Sequence, residues 1–390
     1  MGKVYNEATA FLSILKKQGI TGWLVGGCVR DWVKNGCDDI PRDIDIAVNA
    51  SAEYVESKFT RSHRMSNRHQ TIIIRHGGGI YELTELKGAD IYEDLSSRDF
   101  TCNAMAVDID GNLLDPHDGV SAVRSGFIKA VDQSRFIQED PLRMLRALRF
   151  SAQFGWFIDT ETEAACKKEI KKLQETAVER VKEECSLLIN GGWAASALRK
   201  ADHFGMFHYF PSSIRSHPLC LWRYPTEKLE DGVLRWTGLL LMLYGETASI
   251  VLGSWTFSNQ QKKQIRELLD AVKGPVYKQD LYTLYALGRE QAVRGYLLHQ
   301  WKYRYTPDEQ KQRVFYERLN TVSIQSISDL AVNGRDIQRR FPELPSSLYG
   351  PLLRFLEKKV VLEEITNDKH TLLEQAGTFI RNRGRENSER

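Results

Sequence analysis

The stretch 23–48, WLVGGCVRDWVKNGCDDIPRDIDIAV, constrains the fold more than any other part of the chain. Its apolar opening (23–25) leads into Gly26-Gly27 and then a helical run opened by Cys28-Val29-Arg30-Asp31. The closing Asp43-Ile44-Asp45-Ile46-Ala47-Val48 alternates as a strand does. The pattern predicts strand, glycine turn, helix and strand, with Asp43 and Asp45 on one face and Ile44 and Ile46 turned to the core. Two carboxylates on one strand face repel unless a cation sits between them, and Mg²⁺ is suited by one or two carboxylates plus substrate phosphates. A glycine turn before a helix offers bare N–H groups and a positive helix end, both fitted to a triphosphate. Arg30 adds a full positive charge. Either half alone is common at solvated strand edges and turns; joined in this order they predict a metal-plus-nucleotide site.

At 390 residues the chain exceeds one ordinary domain, and two to four units are expected. With 42% hydrophobic and 27% charged residues the composition is that of a soluble globular protein, and a net charge of +3 confines any nucleic-acid surface to a local patch. Cys28, Cys37, Cys102, Cys166, Cys185 and Cys220 contain no C-x-x-C pair, which argues against a zinc site or a disulfide framework and fits a reducing cytoplasm. The first residues form an amphipathic helical pattern without the apolar core of a signal peptide. The most apolar run, 233–244, is broken by Arg235 and too short to span a bilayer, so it is expected as a buried helix and no membrane partner is expected.

Residues 1 to about 125 alternate strand and helix patterns, with a helix at 52–59 and a β-hairpin of 70–75 and 80–86 around Gly77-Gly78-Gly79. Glu82 and Thr84 share a strand face. Glu82 offers a third carboxylate to the metal, although an exposed strand glutamate has the same pattern. Arg98 either contacts ribose or phosphate or pairs with Asp99. From Glu139 strand signals fade and helices follow, at 161–174, 179–189, 194–207, 234–243, 260–272, 291–301 and 308–319. The stretch 202–222 is rich in His and aromatics and is expected as core, with a base-stacking surface as the alternative.

Glu139-Asp140-Pro141 opens one of these helices, with Pro near its first turn. Leu142, Leu145 and Leu148 form an apolar line, and Asp140, Arg143, Arg146 and Arg149 recur every third residue beside it. Asp140 and Arg143 are then neighbours, as an ion pair on a solvated face or as a reader of a base. Arginine donates and aspartate only accepts. Cytosine's pairing edge sets an acceptor at N3 beside a donor at N4, uracil the reverse, so such a pair satisfies cytosine (and adenine similarly) but not uracil. Unpaired buried polar groups cost about 1–3 kcal/mol each, enough for a hundredfold preference from two mismatches.

These stretches, in this order, resemble the class II tRNA nucleotidyltransferases and the related bacterial poly(A) polymerases. LVGGCVRD with RDIDIAV is similar to the family's first motif, SRDFTCNAMA to its second, LLDPHDGVSAVRSGFIKAV to its third, EDPLRMLRALRF to its fourth and ERVKEECSLL to its fifth. LAVNGRDI and LYGPLLRFLEKKV resemble its tail region. The resemblance implies an α+β chain: a nucleotidyltransferase head with a small mixed sheet (1–136), then an all-helical neck that recognises the base (137–190), a body (191–320) and a tail that binds tRNA (321–390). It implies that Asp43 and Asp45 hold two Mg²⁺ ions. Gly26, Gly27 and Arg30 would contact triphosphate and Arg98 ribose or phosphate. Asp140 and Arg143 would read the base, supported by Arg146 and Arg149. The implied substrates are CTP, with or without ATP, and the acceptor arm of tRNA.

The chain departs from the pattern twice. Ser97 replaces the first of two arginines that usually open the second motif. Between Leu83 and Arg98 only residues 84–97 intervene, whereas enzymes that build the whole CCA end resemble one another in a long flexible loop there. A shortened loop implies CC addition, with the last adenosine left to a separate A-adding enzyme. Full CCA addition, poly(A) synthesis and a catalytically inactive tRNA-binding protein are the alternatives.

Overall fold

The computed structural model describes residues 3–36, 43–59, 62–64, 71–212, 229, 231–274, 278–303 and 309–388. The chain divides into two compact units. The first is Met1–Arg215 with the short pieces Pro225–Glu227 and Ser254–Thr256; the second is Ser216–Tyr224, Lys228–Gly253 and Phe257–Arg390.

The first unit is α+β, as expected. Helix α1 (Lys3–Lys17) is followed by β1 (Gly22–Val25), α2 (Gly27–Asn35), β2 (Asp43–Val48), α3 (Ala52–Lys58), β3 (Ser62–Arg64), β4 (Thr71–His76) and β5 (Gly79–Glu85). Then come α4 (Ile91–Ser96), β6 (Ala106–Val107), β7 (Leu113–Leu114), α5 (Gly119–Ser125) and β8 (Phe127–Ile128). The sheet order is β3-β4-β5-β2-β1-β6-β7. Only the β2–β5 pairing among these neighbours is parallel, which makes the sheet mixed. Spacing explains how α1 covers it. Ala8, Phe11, Leu12 and Leu15 recur at helical intervals and are all buried, and Phe11 stacks on Tyr81 of β5 at 3.9 Å. Gly22 lets helix and sheet close up, because a Cβ there would meet Ile46, Leu12 and Leu15 at 3.1–3.2 Å.

The rest of this unit is helical: α6 (Phe136–Glu139), α7 (Arg143–Phe154), the strand β9 (Phe157–Ile158) beside β8, then α8 (Thr160–Glu169), α9 (Val178–Ile189) and α10 (Ala194–His203). Helix α7 opens later than the sequence pattern suggests. Pro141 disfavours the helical region for the residue before it, and Asp140 is extended (φ −156°, ψ 106°), its carboxylate accepting the Leu142 N–H at 3.1 Å. Asp140 therefore precedes the helix instead of sharing a face with Arg143. In the aromatic stretch Phe204, Met206 and Phe210 are buried, as expected of core; its part beyond residue 212 lies outside the described residues.

The second unit is helical throughout its described residues: α11 (Gly232–Tyr244), α12 (Ala248–Val251), α13 (Asn259–Ala271), α14 (Leu281–Leu287), α15 (Arg289–Tyr303), α16 (Glu309–Thr321), α17 (Gly334–Arg340), α18 (Tyr349–Val361) and α19 (Lys369–Ser388). The segment Gly232–Ser254 has the length and hydropathy to cross a membrane, but most of it is buried in the unit, and α11 itself stops at Gly245 (φ 54°). It is the expected core helix. Among the terminal helices, Leu330, Ile337, Leu352, Leu356, Val360 and Leu372 form a common apolar centre.

Candidate active site

The site starts at the turn between β1 and α2. Gly26 has φ 72°, a conformation open to glycine, and a Cβ there would stand 3.1 Å from Asp45 Oδ2 and 3.4 Å from Arg98 Nη1. The turn is thus bare backbone pressed against a carboxylate and a guanidinium. Cys28, in the first turn of α2, donates to Val25 O at 3.1 Å, and burial pushes its thiol up to about 12, which makes it a packing residue and not a nucleophile.

On β2 the alternation holds: Asp43 and Asp45 face away from the core while Ile44 and Ile46 are buried. Glu82 lies directly across from Asp45 in the parallel β2–β5 register. Burial first, and the Glu82 charge second, push the Asp45 carboxyl up to about 6. The excess negative charge fits a cation. Among the described residues no group of three His, Cys, Asp or Glu side chains is drawn together as a preformed metal cluster, and Glu82 and Asp43 both act on Asp45 through charge. A cation here would take two carboxylates and fill its shell from water or phosphate oxygens, which is the habit of Mg²⁺.

Arg98 does not pair with Asp99. Its Nε and Nη2 donate to Asp94 Oδ2 at 3.0 and 2.8 Å, while Asp94 Oδ1 accepts the Lys87 N–H at 3.1 Å. The reason is helical spacing: Asp94 and Arg98 are four apart at the end of α4, and Asp94 is buried. Helix α4 is itself held by Asp90, which caps the N–H groups of Tyr92 and Glu93. The segment joining β5 to Arg98 is a capped helix.

The third wall comes from α6, α7 and α9. Asp140 and Arg143 do not pair with each other. Arg180 of α9 donates to both Asp140 oxygens, at 3.3 and 2.7 Å. Arg143 bridges to Glu139 (2.9 Å) and donates to Ser97 O (2.8 Å) and Phe136 O (3.3 Å). Arg146 sits 2.9 Å from Asp99 Oδ2. Arg149 is 3.0 Å from Glu184 of α9 and lies over the Phe150 ring. Burial lowers the Arg149 guanidinium's proton affinity and raises that of Glu184. Side-chain atoms Asp99 Oδ2, Arg146 Nε, Arg149 Nε and Glu184 Oε2 are buried without a well-aligned hydrogen bond, so this wall is held by charge more than by geometry.

One cleft of about 1,280 Å³ in the first unit collects Gly26, Gly27, Arg30, Asp45, Glu82, Arg98, Asp140, Arg143, Arg146 and Arg149. Asp43 does not line it and is exposed at the start of β2. The same cleft is lined by Asp94, Asn103 and Arg180, to which sequence reasoning assigned no role. Only Asp94 carried a usable signal, its four-residue spacing to Arg98. Arg180 reaches Asp140 across forty positions of sequence, which no local pattern announces.

Three family models match successive parts of the chain: "Poly A polymerase head domain" over 22–129, "Probable RNA and SrmB- binding site of polymerase A" over 155–214 and "tRNA nucleotidyltransferase domain 2 putative" over 227–376. A CCA-adding enzyme of Latilactobacillus sakei is 30% identical over 405 aligned positions, covering 95% of this chain and 98% of its own. A CC-adding tRNA nucleotidyltransferase of Halalkalibacterium halodurans is 28% identical, covering 96% and 98%. The crystal structure of the Bacillus stearothermophilus CCA-adding enzyme in complex with CTP superposes with a TM-score of 0.87 at 28% identity, covering 100% of both chains. With relatives matched over nearly the whole chain and Asp45, Glu82, the glycine turn and the arginines gathered in one cleft, this chain is a nucleotidyltransferase and belongs to the family of bacterial CCA- and CC-adding tRNA nucleotidyltransferases.

Proposed function

We propose that this enzyme lengthens the 3′ end of tRNA with CMP taken from CTP, and that it stops after two cytidines. The observation that carries the reading is the shared cleft: the strand carboxylates Asp45 and Glu82, a glycine turn at a helix start, and the separately held Asp140 and Arg143 near the start of α7 all face one space. At about 1,280 Å³ it exceeds the roughly 300–1,000 Å³ of small-ligand pockets, which leaves room for an RNA end beside a nucleotide.

Asp43 and Asp45 are the ligands we assign to Mg²⁺, with Glu82 reinforcing the charge that draws the cation in. Bound there, Mg²⁺ would activate the RNA 3′-hydroxyl and neutralise the leaving pyrophosphate. Gly26, Gly27 and Arg30 hold the triphosphate, and Arg98, braced by Asp94, holds ribose or phosphate. The 3′-oxygen bonds to the α-phosphorus and the bond to the β-phosphate's bridging oxygen breaks. Asp140 accepts from the cytosine amine while Arg143 donates to N3, with Arg146 and Arg149 supporting that wall. The chain's parts are a head (1–136), a neck (137–190), a body (191–320) and a tail (321–390), the last two gripping the acceptor arm by shape and backbone. The described cysteines Cys28, Cys102, Cys166 and Cys185 are free thiols, which suits a cytoplasmic setting.

Helix α4 supports the reading of a stop after CC. A segment capped at Asp90 and clamped at Asp94 has little slack with which to reshape the pocket from cytosine to adenine. Relatives of both kinds align over the whole chain, so full CCA addition, with ATP as second substrate, is the competing reading. Purified protein is incubated with tRNA lacking its 3′ end and one labelled nucleotide at a time. CTP alone should give two additions; AMP incorporated onto tRNA ending in CC would overturn the two-cytidine limit, and no incorporation of any nucleotide would overturn the reaction itself. If the limit holds, a separate A-adding enzyme must act on the product.

A further inference from the structure

Four buried or half-buried polar groups form a continuous line through the floor of the cleft. Arg30 Nη1 donates to Asn103 Oδ1 at 3.0 Å, Asn103 Nδ2 donates to Asp99 Oδ1 at 3.2 Å, and Asp99 Oδ2 pairs with Arg146 Nη2 at 2.9 Å. Arg30, Asn103 and Asp99 are each less than a tenth exposed. Their surroundings hold them in place. Arg30 is fixed by Asp31 at 2.8 Å and lies 4.6 Å from the centre of the Phe154 ring on α7. Asp99 Oδ1 also accepts the Phe100 N–H at 2.8 Å.

The middle link has to accept on one side and donate on the other, because arginine can only donate and a carboxylate can only accept. An amide does both, and its orientation follows from its neighbours: oxygen toward Arg30, nitrogen toward Asp99. A leucine would orphan both partners, and an aspartate would set a second carboxylate against Asp99 in a buried space. The line begins at the arginine assigned to the triphosphate and ends on the helix assigned to the base. Asn103 also accepts Arg98 Nη1 on its backbone oxygen at 3.5 Å, which joins the ribose side of the cleft to the same point.

We propose that Asn103 is a positioning residue that couples triphosphate binding at Arg30 to the placement of Arg146, so that base selection tightens when the phosphates are seated. The inference rests on the nucleotide-addition reading above. Coupling of this kind is reciprocal: each end of the line gains from occupancy of the other. Asn103 does not itself touch the base, and its removal acts through the two arginines.

The test is a double-mutant cycle read by kcat/KM for CMP addition to tRNA lacking its 3′ end. With Asn103 present, Arg30→Lys and Arg146→Lys are expected to be non-additive, the double variant losing at least about threefold less than the product of the single losses. On an Asn103→Leu background the same losses should multiply, and the CTP-over-UTP preference should fall several-fold. If Asn103→Leu does not fold, as judged by its thermal melt, Asn103→Ala carries the same cycle. Losses that multiply with Asn103 present, or a cycle that Asn103→Leu and Asn103→Ala leave unchanged, overturn the proposal. Absence of CMP addition by the unaltered protein would sink the functional reading instead, so the two failures are distinct.

Discussion

Asp45 and Glu82 face each other across the parallel strands β2 and β5, one register step joining the two carboxylates in the sheet. Ionised together they repel, and the Asp45 carboxyl is pushed up to about 6. The first cause is burial and the second is Glu82, with Arg98 and Arg30 pulling the other way. An arrangement that is unfavourable alone and relieved by a cation is how a binding site differs from a structural ion pair.

A stability prediction follows with a definite sign. Folded Asp45 holds its proton more tightly than the unfolded chain does, so its contribution to stability is fully present below pH 3.8 and is lost as pH rises through about 6. Asp45 is exposed on its strand face, so solvent screens much of this effect, and at neutral pH the metal-free protein carries only a small cost at this position. Asp45→Asn should raise the melting temperature in EDTA at pH 7.5, leave it nearly unchanged at pH 4, and abolish nucleotide addition. Equal melting temperatures at pH 7.5 would count against the burial account.

Gly26→Ala tests the turn. The φ of 72° disfavours any L side chain, and the new Cβ would press on Asp45 Oδ2 at 3.1 Å. A loss of about 1–2 kcal/mol in stability is expected from the backbone alone. Because the turn also receives the triphosphate in our reading, KM for CTP should rise at least tenfold while tRNA binding, measured by gel shift, stays within about twofold.

Arg143→Ala separates base reading from RNA binding. Its guanidinium is already steered by Glu139, Ser97 O and Phe136 O, so its removal leaves a hole in a built wall without exposing the core. The preference for CTP over UTP should fall by about tenfold to a hundredfold, from donors worth about 1–3 kcal/mol each. A variant that keeps its preference but loses tRNA would refute the assignment.

Arg149 and Glu184 are predicted to matter as a pair. Both are largely buried and 3.0 Å apart between α7 and α9. Arg149→Ala leaves an uncompensated buried carboxylate and should cost about 3–5 kcal/mol in urea unfolding. The double variant Arg149→Met with Glu184→Leu should recover most of that loss, since apolar groups of similar volume replace a buried pair with little penalty. No recovery would mean that the wall depends on these charges for more than mutual neutralisation.

The sequence was most legible where local physics is strong. Strand β2 opens on the Asp/Ile alternation and runs on through Ala47 and Val48, and α11 coincides closely with the apolar run. The β4–β5 hairpin follows its glycines. Legibility failed at Asp140, where Pro141 delays the helix that the arginine spacing extends back to it, and at Arg98, where a partner four residues upstream won over the adjacent Asp99.

By itself the chain determined its periodic elements, the strand face shared by Asp43 and Asp45, and the glycine turn, because each depends on residues within a few positions of one another. Tertiary structure alone decided that Glu82 stands opposite Asp45, that Arg180 holds Asp140, and that Asn103 links Arg30 to Asp99. Those relationships join residues tens of positions apart, and the choice among many possible partners for a charged or amide group is made only when burial removes water as the alternative.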